Sequence, residues 1–274
     1  MAIPYYHVDA FTGEIFRGNP AGVCILSAFP ADSMMQKIAA ENRHSETAFV
    51  VPRADGEFDL RWFTPEVEDD LCGHATLASA YVLALRKHDV WPVRFHTRSG
   101  VLSVARGPVA QEQDGFEMDF PARPPQTCET PAGLLPALGL KTALVMKSRD
   151  YLVVVDQAAQ VRALQPNFAD LARIDIGIGG TIVTAPGEGE VDYVCRLFAP
   201  SVGINEDPAT GSIHCTLAPY WAGRLGRGKL RAQQLSARGG TMQSTIAGDL
   251  VKIAGCARLY LQGSLELQSE CLRA

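Results

Sequence analysis

The stretch TAFVVPRADGEFDLRWFTPEV (47–67) reads against TIVTAPGEGEVDYVCRLFAPSV (181–202), and this self-similarity decides the fold. Thr47 falls on Thr181, Pro52 on Pro186, Gly56-Glu57 on Gly189-Glu190 and Asp59 on Asp192. F-T-P-E-V then meets F-A-P-S-V after one inserted residue. Each copy leads through a glycine-containing turn into an apolar helical stretch. These are CGHATLASAYVLAL (72–85) and ATGSIHCTLAPYWA (209–222). Upstream, FPADSMMQKIAAE (29–41) and QPNFADLARID (165–175) carry the same amphipathic helical pattern. Ordered elements at a nearly constant offset are the signature of an internal duplication.

Periodicity and breakers give the coarse order around these anchors. A strand IPYYHVDAF (3–11), a glycine-proline turn RGNPAG (17–22) and a strand VCILS (23–27) open the chain. A helix is predicted over about 32–42 with Asp32 as its cap. Strands ETAFVVP (46–52) and FDLRWF (58–63) follow, then a helix over about 73–87. Strands VRFHTRSG, VLSVARG and FEMDFP close the first half. The proline-rich segment PARPPQTCETPAG (121–133) reads as a linker. VDYVCRLF, DLVKIAG (249–255), ARLYLQG and SLELQ supply strands of the second half.

The helix TLASAYVLAL is apolar nearly all round, as a helix enclosed by a sheet must be. The predicted class is therefore α+β, with two duplicated lobes, each a mostly antiparallel sheet wrapped around a central helix. Expected domains are residues 1–120 and 121–274, with the last strand a candidate to return to the first lobe.

Composition narrows the function. Hydrophobic residues make up 47% and charged residues 20%, as in a packed soluble globule. Acidic residues outnumber basic ones, 30 to 25, so no basic stripe stands ready for nucleic-acid phosphates. No apolar run approaches the ~20 residues that span a bilayer, and MAIPYYHVDAF lacks a signal-peptide pattern, which predicts a cytoplasmic protein. The seven cysteines (24, 72, 128, 195, 215, 256, 271) are scattered without C-x-x-C pairs, unlike a disulfide framework or a zinc site. Most read as small core residues; Cys72 alone has a setting that raises a chemical question.

A duplicated scaffold is expected to form a cleft at its pseudo-twofold, faced by loops Glu66–Gly73 and Gly203–Gly211 before the central helices. Helix N-termini present unsatisfied N–H groups and a positive dipole end to an anion, and Gly73 and Gly211 permit close approach. Glu46 opens an otherwise apolar strand and is replaced by Gly180 in the second copy. An acid present in one copy only is not demanded by the scaffold, which makes Glu46 the candidate general acid/base; the plain alternative is a strand-edge glutamate. Asp207 precedes Pro208 in NEDPATGS (205–212), so it reads both as a cap of the second helix, with Pro208 at the first helical position, and as a cleft residue. His74 follows Gly73 at the first helix start, where the dipole favours neutral imidazole. A thiol nucleophile at Cys72 lacks a partner motif for acyl transfer. His214 and Cys215 read as core or lobe-interface residues one turn inside the second helix. Trp62, Phe63 and Tyr220 are candidates for setting the size of the site.

VDAFTGEIFRGNPAGV (8–23), NRHSETAFV (42–50), LCGHATLASA (71–80) and NEDPATGS together resemble the phenazine-biosynthesis F-like (PhzF-like) isomerases, which share the diaminopimelate epimerase fold. The resemblance runs from about residue 4 to about residue 255. It implies catalytic roles for Glu46, His74 and Asp207, and substrate contacts at Ser45, Gly73, Gly211, Ser212 and Asn19. It further implies a homodimer, a small-molecule substrate, and no cofactor or metal. The epimerase relatives use two cysteines; Cys72 stands where one would be, while Pro208 takes the other position, so the two-thiol mechanism cannot operate here. The resulting expectation is a cofactor-independent isomerase moving a proton on a carboxylate-bearing metabolite through Glu46. A racemase using Glu46 and Cys72 and a non-catalytic small-molecule binder are the competing readings.

Overall fold

The computed structural model describes residues 2–109, 112–176 and 179–267. They form two compact units: the chain up to Asp119 together with the segment from Ala254 onward, and Phe120–Ile253. The first stretch contains β1 (Ala2–Ala10), β2 (Asn19–Ile25), α1 (Asp32–Asn42), β3 (Glu46–Pro52), β4 (Phe58–Phe63) and β5 (Glu68–Asp69). It continues with α2 (Gly73–Leu85), β6 (Val93–Thr97), β7 (Gly100–Val109) and β8 (Glu112–Pro121). Then follow β9 (Gln126–Thr127), α3 (Leu134–Ala137), β10 (Leu144–Lys147), β11 (Tyr151–Val154), α4 (Ala158–Ala163) and α5 (Phe168–Leu171). The remainder is β12 (Thr181–Pro186), β13 (Tyr193–Ala199), β14 (Ile204–Asp207), α6 (His214–Leu225), β15 (Lys229–Gln234), β16 (Gly240–Ala247), β17 (Leu250–Gly255) and β18 (Ala257–Glu266).

The two units repeat one pairing scheme. In the first, β1 lies antiparallel between β18 and β2, and β2 runs parallel to β3. Antiparallel β4 comes next, pairing antiparallel with β5 and parallel with β6, and β6 pairs antiparallel with β7. In the second, β10 lies antiparallel between β9 and β11, and β11 runs parallel to β12. There β13 takes the place of β4, antiparallel to β12 and β14 and parallel to β15, which pairs antiparallel with β16. The duplication is thus present in strand order and direction as well as in sequence, and the fold is α+β.

Within the first unit, α2 packs against β1, β2 and β3. Its residues 74–80 are all buried. The two hydroxyls in that run are satisfied by the helix itself: Thr76 donates to the Cys72 carbonyl at 2.5 Å and Ser79 to the Ala75 carbonyl at 2.7 Å. The opposite sheet face carries α1, where Met34, Met35 and Ile38 pack with Phe49, Val51 and Phe63. Strand side chains alternate, so Phe49, Val51 and Phe63 face α1 while Glu46, Ala48, Val50 and Trp62 face the α2 side. Phe63 therefore does not line a site at Glu46, contrary to the sequence expectation.

Several local expectations are corrected. Asp32 is not the cap of α1: Ala31 is, and the Asp32 carboxylate accepts a hydrogen bond from Arg61 at 2.8 Å. The second amphipathic pattern forms only the four-residue α5 beside the short α4, because Asn167 caps α5 and the chain turns again after Leu171. Segment 121–133 is no slack linker: β9 pairs with β10, and the Arg123 N–H donates to the Cys215 carbonyl at 2.8 Å. That carbonyl lies four residues before Pro219, inside α6, whose missing N–H would otherwise leave it without a partner. β14, β15 and β16 were not anticipated. The six described cysteines are free thiols, and Cys271 lies outside the described residues.

Candidate active site

In the first unit, Glu46 is the first residue of β3, beside Ala21 of β2, and 7% exposed. Cys72 occupies the N-cap of α2, Gly73 is its first residue and His74 its second. His74 Nε2 lies 3.0 Å from Glu46 Oε2, off the alignment of a straight hydrogen bond. On the other side of the ring, Nδ1 lies 3.4 Å from Cys72 Sγ. His74 and Cys72 are buried, at 6% and 4% exposure. Ser45 Oγ donates to Asn19 Oδ1 at 3.3 Å, and Asn19, at the start of β2, is fully buried. Gly73 is half-buried, so its backbone at the helix start remains reachable. Of these six positions, sequence reasoning nominated five and left Cys72 open, and the first unit gathers them around the starts of β3 and α2.

Asp69 was missed. It ends β5 opposite Trp62, which in turn lies opposite Ala48, two residues from Glu46 on the same face. Burial, and then the negative charge of Glu46, push its carboxyl above the usual aspartate range. The acidic run EVEDDL (66–71) reads as a solvated loop, and only strand pairing turns Asp69 inward. Because its proton is held more tightly in the folded protein, stability attributable to this group is full below the ordinary aspartate value. It declines as pH rises through the raised one. Asp69→Asn is therefore expected to raise the thermal midpoint at pH 7, with the gain vanishing below about pH 4. Scanning calorimetry at both pH values checks this.

In the second unit Asp207 ends β14 and does not cap α6, which begins at His214 with Ile213 as N-cap. Residues 208–213 form a turn between them. Buried Gln234 holds this turn: its amide donates to the Asp207 carbonyl at 2.7 Å and its Oε1 accepts from the Thr210 N–H at 2.8 Å. Ser236 Oγ donates to the Pro208 carbonyl at 2.6 Å. The Asp207 carboxylate accepts from the Thr210 hydroxyl. Gly211 is buried and Ser212 half-buried in the same turn. Gln234 and Ser236 carried no sequence signal; they are polar residues in a polar strand and its end. The absent second acid also has a packing cause. At Gly180, the counterpart of Glu46, even a Cβ would lie 2.9 Å from the Phe198 carbonyl oxygen.

His214 and Cys215 are core residues at the beginning of α6, not one turn inside it. Nδ1 of His214 sits 2.7 Å from the Tyr193 hydroxyl, and complete burial lowers its pKa to about 3. Burial raises the Cys215 thiol to about 11. Tyr220 stands edge-on to Trp221 and accepts from Arg224, a helix-surface arrangement. A groove of about 570 Å³ in this unit is lined by Pro131, Asn167, Asp170 and Arg173. Its Asp170 is engaged by Asn167 and Arg173.

Among the described residues, Glu46, Cys72 and His74 are the buried donors close enough to hold an ion, their atoms lying within 4.8 Å of one another. Yet the imidazole turns one nitrogen to sulfur and the other to carboxylate, and a single ion can use only one of them. The arrangement suits proton transfer along a line better than convergence on a metal.

This architecture and this acid–imidazole pair define an epimerase-like α+β protein. The profile of the phenazine biosynthesis-like proteins (PhzC-PhzF) matches residues 8–263, and the chain belongs to that family. An uncharacterised isomerase of Pseudomonas aeruginosa is 52% identical, over 97% of this chain and 100% of its own length. The crystal structure of a PhzF-family phenazine biosynthesis protein from Enterococcus faecalis superposes with TM-score 0.91 at 41% identity, covering 97% of this chain and 100% of that one. A hydroxyproline epimerase from Agrobacterium vitis shares the fold alone, with TM-score 0.59 at 10% identity over 96% of this chain and 92% of that one.

Proposed function

We propose that this isomerase moves a proton between carbons of a small carboxylate-bearing metabolite, without a cofactor, using Glu46 as the single general acid/base. The observation that carries the reading is the buried Glu46 carboxylate, 3.0 Å from His74 at the start of α2. A carboxylate in an apolar setting gives up little hydration when it takes a carbon-bound proton, and an adjacent neutral imidazole orients it. The N–H groups at the α2 start favour an anionic substrate group and the negative charge of an enolate-like transition state. His74 orients Glu46 or substrate; Ser45, Asn19 and Gly73 contribute binding. Asp207, Gly211 and Ser212 join them on the strength of the family motif. The same resemblance supports a cytoplasmic homodimer.

Incubating the protein with a library of small carboxylic acids in D₂O, followed by mass spectrometry and NMR, tests this. The expected result is an isomer of one acid with substoichiometric deuterium at the new C–H, since one carboxyl returns much of the proton it removed. Complete labelling with inversion at a stereocentre would favour a two-base racemase, the reading that the thiol near His74 keeps in play. Binding of acids without conversion of any would favour a non-catalytic protein.

A further inference from the structure

The geometry points to Cys72 as a positioning residue: we propose that its thiol fixes His74 in the tautomer that carries the proton on Nε2 and presents it to Glu46. The inference rests on the reading of Glu46 as the proton carrier. Cys72 sits at the N-cap of a 13-residue helix, a position whose side chain ordinarily accepts a hydrogen bond from the first turn. Its side chain makes no such cap bond. The sulfur instead lies 3.4 Å from His74 Nδ1, and both groups are buried.

The proton arrangement follows from what each partner can do. An ionised carboxylate only accepts, so the nitrogen 3.0 Å from Glu46 Oε2 must be the protonated one. Burial and the positive end of α2 both oppose an imidazolium, while the Glu46 carboxylate favours one; in the proposed state the ring is neutral, with a lone pair on Nδ1. A thiol S–H is the donor placed to meet it. The proton order is therefore Cys72 S–H toward Nδ1, and Nε2–H toward the Glu46 carboxylate across a 3.0 Å contact that is off straight alignment. Without the thiol, the Nε2–H form loses one of the contacts that select it, the Glu46 contact being off hydrogen-bond alignment, and the Nδ1–H form gains a share. In the Nδ1–H form two lone pairs would face each other across the contact with Glu46. Asp69, a charged group on this face, lies on β5 and interacts with Glu46 by charge.

Long-range ¹H–¹⁵N spectra of ¹⁵N-histidine-labelled protein, recorded without substrate at pH 6–8, read the tautomer directly. In the wild type the His74 ring is expected to show a protonated Nε2 and an unprotonated Nδ1. Cys72→Ala should add a measurable fraction of the Nδ1–H form to this single form, and Cys72→Ser, which keeps a donor, should remove it. A wild-type ring protonated at Nδ1, singly or doubly, would overturn the proposal, as would a Cys72→Ala spectrum unchanged from wild type. The spectra do not depend on turnover, so a failure here is separable from a failure of Glu46 as the catalytic base.

Discussion

Glu46→Gln is expected to lower kcat by about 10³-fold, equivalent to about 4 kcal/mol of transition-state stabilisation, while substrate affinity stays within a few-fold of wild type. Glutamine fills the same volume and keeps one carbonyl oxygen toward His74, so the packing around β3 is retained. What it loses is the ability to take a proton. A structural glutamate would give the opposite pattern, an altered melting temperature with turnover preserved per folded molecule. Steady-state kinetics and isothermal titration on one preparation separate the two.

The largest stability effect is expected at Arg196. Its guanidinium is 9% exposed and forks onto both oxygens of Glu206, at 2.6 and 2.9 Å. It also donates to the carbonyls of Val161 and Leu164, at 3.2 and 2.8 Å, and lies over the Phe198 ring. One cation thus ties β13, β14 and the end of α4 together, next to Asp207 on β14. Arg196→Met removes the donor that the Glu206 carboxylate and the Val161 and Leu164 carbonyls share, at a cost of about 3–5 kcal/mol. For a unit of this size that corresponds to a fall in melting temperature of roughly 10 °C. Adding Glu206→Gln should recover part of the loss, because an uncharged amide tolerates the missing partner better. Calorimetry of the single and double variants tests both statements.

The strength and the limits of the sequence reading have physical causes. The duplication was legible because the strand pair β3–β4 and its copy β12–β13 share residues tied to strand ends and turns: Thr47 and Thr181, Pro52 and Pro186, Asp59 and Asp192. The central helix α2 was legible because its composition allows only a buried helix. Strands β15 and β16 were not, since LRAQQLSARGGTMQSTIAG alternates small, polar and apolar residues weakly and resembles loop. At the site, Glu46 stood out through its missing counterpart, and Gly180 accounts for that asymmetry by leaving no room for a side chain. Asp69 stayed hidden because its orientation depends on a two-residue strand pairing across β4. Asp207 was misplaced as a helix cap because Asp-Pro is an ordinary helix start; here the turn that Gln234 holds intervenes before α6.

The role assigned to Glu46 implies that this one side chain breaks the substrate C–H bond. Once the carboxylic-acid screen has supplied a substrate, the rate at which that hydrogen washes out into D₂O can be followed by NMR for wild-type protein and Glu46→Gln. Wash-out or isomerisation is expected with wild type, and neither above background with the variant. Wild-type rates of exchange from Glu46→Gln would contradict it.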